Sequence, residues 1–170
     1  TPFVAGIVGW VDFDARNAPE VVARLAADPR LVGLRPMVQD IADDDWLARA
    51  SLAPAFEAMV ANNLVFDALV LPRHLIRLAT VLDRHPALRV VVDHGAKPRI
   101  REREIDAWRT DMAMIAAHPG EKLSAAISVA NARLTSPGAS SQAVRASATA
   151  SNASAPSVTN CWAIATVVVP

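Results

Sequence analysis

"LVFDALVLPRHLIRLATVLDRHPALRVVVDHGAKP", residues 64–98, decides the fold. "LVFDALV" (64–70) is apolar apart from Asp67 and reads as a buried strand. "PRHLIRLATVLDRH" (72–85) repeats Leu75, Leu78, Ala79 and Leu82 at helical spacing. "LRVVVD" (88–93) returns to β-branched strand material. A strand, a helix and a strand in close succession leave two parallel strands with a helix across them.

The same rhythm extends outward in both directions. "FVAGIVGWV" (3–11) and "RLVGLRPMV" (30–38) read as strands. Between them, "NAPEVVARLAAD" (17–28) reads as a helix with Asn17 as N-cap, Pro19 in the first turn and Glu20 at the capping-box position. Val21, Val22, Leu25 and Ala26 form its apolar stripe. "DDDWLARASLAPAFEAMVANN" (43–63) opens with acids suited to a helix N-terminus, and Pro54 is expected to break or restart that helix. "REREIDAWRTDMAMIAAH" (101–118) places Ile105, Trp108, Met112 and Ile115 on one face, and "EKLSAAI" (121–127) is a fifth strand candidate. The fold class is therefore α/β. Near-continuous apolar strands fit a parallel sheet buried on both faces.

Composition excludes several functions. The 170 residues are 52% hydrophobic and 20% charged, enough apolar material for one globular core. Net charge is zero, so no basic face is expected for nucleic acid or an anionic membrane. No apolar run approaches the roughly 18 residues of a membrane helix. Cys161 is the only cysteine, which excludes an intrachain disulfide and suits a reducing, cytoplasmic setting. The chain opens without Met inside an apolar segment, so further residues are expected before Thr1.

The character changes after residue 124. From Glu121 to Pro170 the only charged residues are Glu121, Lys122, Arg133 and Arg145. "SPGASSQAVRASATASNASAPSVTN" (136–160) has little apolar periodicity. Residues 1–124 form the expected domain, and 125–170 a low-complexity tail, either disordered or non-native through a shifted reading frame. "ASNASAPSV" (150–158) admits codons whose shifted frame reads FERFGAER, a helix-like sequence. "CWAIATVVVP" (161–170) could form a strand of unassigned partner.

In parallel α/β folds, ligands sit beyond the carboxyl ends of the strands. His94 is the foremost residue there: its imidazole can move a proton or bind a metal, or merely cap the next segment. Asp93 either orients that imidazole or satisfies a loop amide. Arg35 interrupts an apolar strand, and its guanidinium either forks a substrate carboxylate or closes an internal salt bridge with Asp67 or Asp93. Lys97 binds an anionic group or faces solvent. Trp10 is a substrate platform or core, and Gln39 is a weaker substrate contact. His74, His85 and His118 are expected in surface or capping roles, and Cys161 in none.

With these residues in view, the chain resembles the amidohydrolase-related family of lactonase-like hydrolases, which includes L-fuconolactone hydrolase-like and pyrone-dicarboxylate lactonase-like enzymes. The matching stretches are "FVAGIVGWVDF", "DPRLVGLRPMVQDIADDDWLAR", "LVFDALVLPRHL", "HPALRVVVDHGAKPRI" and "WRTDMAMIAAHPG". The resemblance implies a partial (β/α)₈ TIM barrel, about strands three to seven of eight, with an irregular C-terminal tail. It implies water attack on the lactone of a sugar acid or dicarboxylate. It maps His94 to the catalytic centre, Arg35 to the pocket and Lys97 to a family lysine.

The departures matter equally. The family's His-x-His pair and its Ser-Asp motif are missing, and no Asp follows Asp111. A divalent metal, zinc or manganese, belongs to the complete enzyme. His94 would be its one ligand here, so this chain is expected to hold none. The implied chain is an inactive fragment that self-associates through open sheet edges. The alternative is a non-catalytic α/β module or gene-break product that binds a small anion or a protein partner.

Overall fold

The computed structural model describes residues 6–118 in full, together with the backbone strands 123–126 and 164–166. Six parallel strands form one sheet: β1 (Gly6–Gly9), β2 (Leu31–Leu34), β3 (Val65–Ala68), β4 (Arg89–Asp93), β5 (Leu123–Ala126) and β6 (Ile164–Thr166). Their spatial order is β5-β4-β3-β2-β1-β6. From β1 to β5, each strand lies beside the next in sequence. A doubly wound sheet reverses direction at a switch point, whereas a barrel adds strands in chain order. The sheet is thus an arc of barrel type, and every strand named from the sequence is present.

The helices α1 (Ala18–Ala26), α2 (Ala53–Ala61), α3 (Leu75–Arg84) and α4 (Asp106–Ala116) fall in the connections. Their apolar stripes meet the strands in one core. Val22, Phe56, Met59, Leu75, Leu78 and Ile115 are almost wholly buried against Leu34, Phe66, Val90 and Val92. Phe56 stands edge-on to Phe13 and Phe66, with ring centres 5.4 and 5.2 Å apart. At Gly33 a Cβ would meet the Val65 carbonyl oxygen at 2.5 Å, so β2 approaches β3 too closely for any side chain.

Three local expectations are corrected. Asn17 occupies the N-cap position of α1 but makes no side-chain cap bond, so the capping box with Glu20 does not form. Residues 43–52 are not α-helical: Asp43 accepts the Asp45 N–H at 2.9 Å and folds the acidic run into short 3-10 turns. Pro54 then restarts the chain as α2, in the first turn where its missing N–H costs nothing. Residues 101–104 precede α4 as a tight turn, closed by an antiparallel bridge between Arg99 and Glu104 and their 2.7 Å ion pair.

The C-terminal segment is not wholly irregular. Ile164, Ala165 and Thr166 pair in parallel with Gly6, Ile7 and Val8 at the outer edge of β1. The rest of the expected tail, including residues 127–163, and Cys161 lie outside the described residues.

Candidate functional site

The carboxyl ends of β2, β3 and β4 bring Arg35, Asp67 and Asp93 together. The Arg35 backbone N–H donates to the Gly9 carbonyl at 2.8 Å and ties the end of β2 to that of β1. Its Nε and Nη2 both donate to one oxygen, Asp67 Oδ2, at 3.0 and 2.6 Å. Asp93 Oδ2 lies 3.0 Å from the same Nη2. The three side chains are 15%, 4% and 7% exposed in that order. Burying charge costs several kcal/mol per ion unless it is compensated.

One guanidinium faces two carboxylates, so compensation is incomplete. The cost falls on Asp67: burial pushes its carboxyl up, Arg35 opposes the rise and the Asp93 charge adds to it. Asp67 Oδ1 is buried without a hydrogen-bond partner. The internal ion pair read as one alternative for Arg35 is thus formed, with both of the acids named for it.

His94 stands at the edge of this cluster. Asp93 serves it twice: Oδ1 accepts the His94 backbone N–H at 2.9 Å, and Oδ2 lies 3.4 Å from Nε2. The imidazole is 36% exposed, so it reaches both the buried acids and solvent. It is carried on an unusual turn. His94, Gly95, Ala96 and Lys97 all have left-handed backbone angles, with φ of 50°, 57°, 58° and 50°. Only Gly95 adopts this conformation freely. Each of the others costs about 1–2 kcal/mol.

Strain of this kind persists where surrounding contacts over-determine it, and it concentrates at functional sites. Here Lys97 N–H donates to the His94 carbonyl at 3.0 Å, Ala96 is wholly buried, and Trp108 Nε1 donates to the Gly95 carbonyl at 2.8 Å. The exposed Lys97 ammonium donates to Gln39 Oε1, so these two sequence candidates meet each other.

Trp10 stands apart. It is 44% exposed and lines a cleft of about 580 Å³ with Asp12, Val21, Arg24 and Leu25. None of the residues lining that cleft belongs to the charged cluster. Trp10 is therefore neither core nor a partner of His94.

Sequence reasoning placed Trp108 only in an apolar stripe and missed its second role. The available signal is the indole N–H, which needs a partner when half-buried. It also placed His74 at the surface or a cap. His74 does cap, with Nδ1 accepting the Leu71 N–H at 3.1 Å, but it is only 1% exposed. Burial holds its basicity below the usual imidazole range, as it does for His85, which packs on Phe56. His118 lies 3.0 Å from Asp83 across α3 and α4.

Among the described residues, no group of three His, Cys, Asp or Glu side chains could hold a metal ion. Asp67 and Asp93 are engaged by Arg35, and His94 alone does not make a site. The residues described do not fit a complete metal centre. No helix among them is long and apolar enough to cross a membrane.

Known proteins resemble this chain over most of its length. The family model described as amidohydrolase matches residues 2–154, past the boundary placed after residue 124. An L-fucono-1,5-lactonase of Burkholderia ambifaria is 52% identical over 119 residues, covering 70% of this chain and 41% of the relative. An L-fucono-1,5-lactonase of Burkholderia multivorans is 33% identical over 124 residues, covering 68% and 41%. A crystal structure of a Burkholderia multivorans amidohydrolase with bound zinc superposes with a TM-score of 0.63 at 30% identity, over 72% of this chain and 43% of that one. The same amidohydrolase with bound HEPES gives a TM-score of 0.62. This chain thus spans about two-fifths of the length of the curated relatives it matches.

Proposed function

We propose, since the chain belongs to the amidohydrolase family and its fold is an arc of that family's barrel, that it is the central part of a lactone hydrolase. The favoured substrate class is the lactone of a sugar acid, with L-fucono-1,5-lactone the compound to try first, after the relatives' activity. One observation carries the reading: Arg35, Asp67, Asp93 and His94 converge at the carboxyl ends of consecutive parallel strands, where such barrels do chemistry.

Each residue has a role in this proposal. Arg35, held by two acids, presents a fixed cation to a lactone oxygen or to the carboxylate it becomes. Asp67 and Asp93 orient the guanidinium. Asp93 also steers the half-exposed imidazole of His94, which binds the carbonyl oxygen or moves the proton of the attacking water. Lys97 and Gln39 form the polar rim. Trp10 lines a separate cleft and is assigned to a distal part of the substrate.

A divalent metal belongs to the family proposal, because a related amidohydrolase holds zinc. The described residues do not complete a site for one, and no step above passes through it. The chain alone is therefore proposed to be inactive. A cytoplasmic setting, in keeping with one cysteine, is part of the same proposal.

The test is a chimera in which residues 1–124 replace the matching segment of the Burkholderia ambifaria lactonase. Hydrolysis of L-fucono-1,5-lactone by the chimera, absent from the isolated chain, is the expected result. A correctly folded but inert chimera would favour the anion-binding module instead.

A further inference from the structure

The turn at 94–97 poses a question the sheet alone does not answer. Three non-glycine residues are held in the left-handed region, yet β4 ends at Asp93 and supplies no further ladder bonds. Two of the turn's supports are local: the Asp93 carboxylate on the His94 N–H, and the Lys97 N–H on the His94 carbonyl. Local bonds of that kind form equally well in ordinary turns and do not select left-handed angles. Two supports come from further along the chain: the exposed Lys97 ammonium donates to Gln39 Oε1 through its flexible side chain, and Trp108, thirteen residues away on α4, donates from Nε1 to the Gly95 carbonyl itself at 2.8 Å.

Trp108 is itself well anchored. Its ring packs against the core beside Met112, and the helix that carries it buries Ile115 completely. Gly95 meets nothing within 4 Å where a Cβ would project, so steric packing at that residue does not fix the turn. The contacts that reach the turn's backbone from the core are the indole hydrogen bond and the burial of Ala96 on the following residue.

We infer that Trp108 is a positioning residue for His94: its indole N–H pins the left-handed turn that sets the imidazole against Asp93. The inference deepens the proposed site and rests on that reading only for its functional meaning. The geometry concerns this chain alone. Trp108 acts through its bond to the Gly95 carbonyl rather than on a reacting atom. The design matches a general requirement, that a reactive side chain on a loop is held by packing and hydrogen bonds from a rigid neighbouring element.

The experiment removes one donor from the full chain, in one variant with the side-chain volume kept. Trp108 is replaced by 3-benzothienylalanine, whose sulfur stands where the indole N–H was, and separately by Trp108→Phe. The His94 ring resonances are followed by NMR, and amide hydrogen exchange is followed at Lys97 and along β3. The expected result is a His94 ring signal moved towards its denatured-chain position, with Lys97 exchange about tenfold faster. Exchange along β3 stays at the parent rate.

Unchanged His94 and Lys97 signals in the benzothienyl variant overturn the inference. Equal acceleration along β3 and at Lys97 also overturns it, since Trp108 would then be a general stabiliser. An inert chimera in the lactone assay would remove the proposed function and leave this result standing.

Discussion

Replacing Arg35 by Met tests the physics of the charged cluster most severely. The substitution keeps an unbranched apolar stem and removes the cation shared by Asp67 and Asp93. Two carboxylates, 4% and 7% exposed, then face each other with only His94 beside them. Removing one partner of a buried ion pair typically costs about 3–5 kcal/mol. For a chain of this length that corresponds to roughly 6–20 °C in melting temperature.

The cost must also depend on pH, and its sign is fixed. Burial already pushes the Asp67 carboxyl above its ordinary value of 3.8, and loss of Arg35 pushes it further. Between the unfolded and folded values the native state binds more protons, so stability falls as pH rises through that window. The variant should therefore be weakest near neutrality and recover towards the parent as pH falls and Asp67 protonates. Urea melts of parent and variant across mildly acidic to neutral pH measure this directly. A loss below about 1 kcal/mol at neutrality, the size of an exposed surface pair, would refute the reasoning, as would a loss independent of pH.

Three further outcomes are expected. The buried His74 and the half-buried His85 hold folded basicities below 6.5, so the unfolded chain takes up protons first, and stability present above that pH is lost as pH falls through it; His74→Asn should flatten this acid slope in thermal melts, and an unchanged slope would remove His74 from the account. Among the described residues, β5 and β6 have no strand on their outer sides, so sedimentation of the isolated chain should show self-association, against which a single cooperatively melting monomer would count. The shifted-frame proposal for residues after 124 predicts that the gene's true codons read as barrel-like sequence in another frame; stops there would end it.

The sheet was legible because its signal is redundant. Strands β1 to β4 lie in apolar runs, each helix repeats apolar residues at helical spacing, and Pro54 marks the start of α2. Arg35 was legible as a cation in an apolar strand, which must find acids, and Asp67 and Asp93 were the acids within reach. The turn at 94–97 was not legible, because Gly95 is the only residue in it that favours left-handed angles. His, Ala and Lys at its other positions carry no such signal, since tertiary contacts from Trp108 and around Ala96 impose the conformation. The burial of His74 was hidden for a similar reason. Its place at a helix start suggested a cap, and nothing local showed that the loop before α2 would cover it.

The most direct test of the central claim is lactone turnover by the chimera with and without His94→Ala. The account predicts that the parent chimera hydrolyses L-fucono-1,5-lactone and that the substitution removes at least about 99% of kcat/KM, a range typical of a lost proton-transfer group, while the melting temperature holds. A His94→Ala chimera within about threefold of its parent, about 0.65 kcal/mol of barrel-site stabilisation, would contradict it.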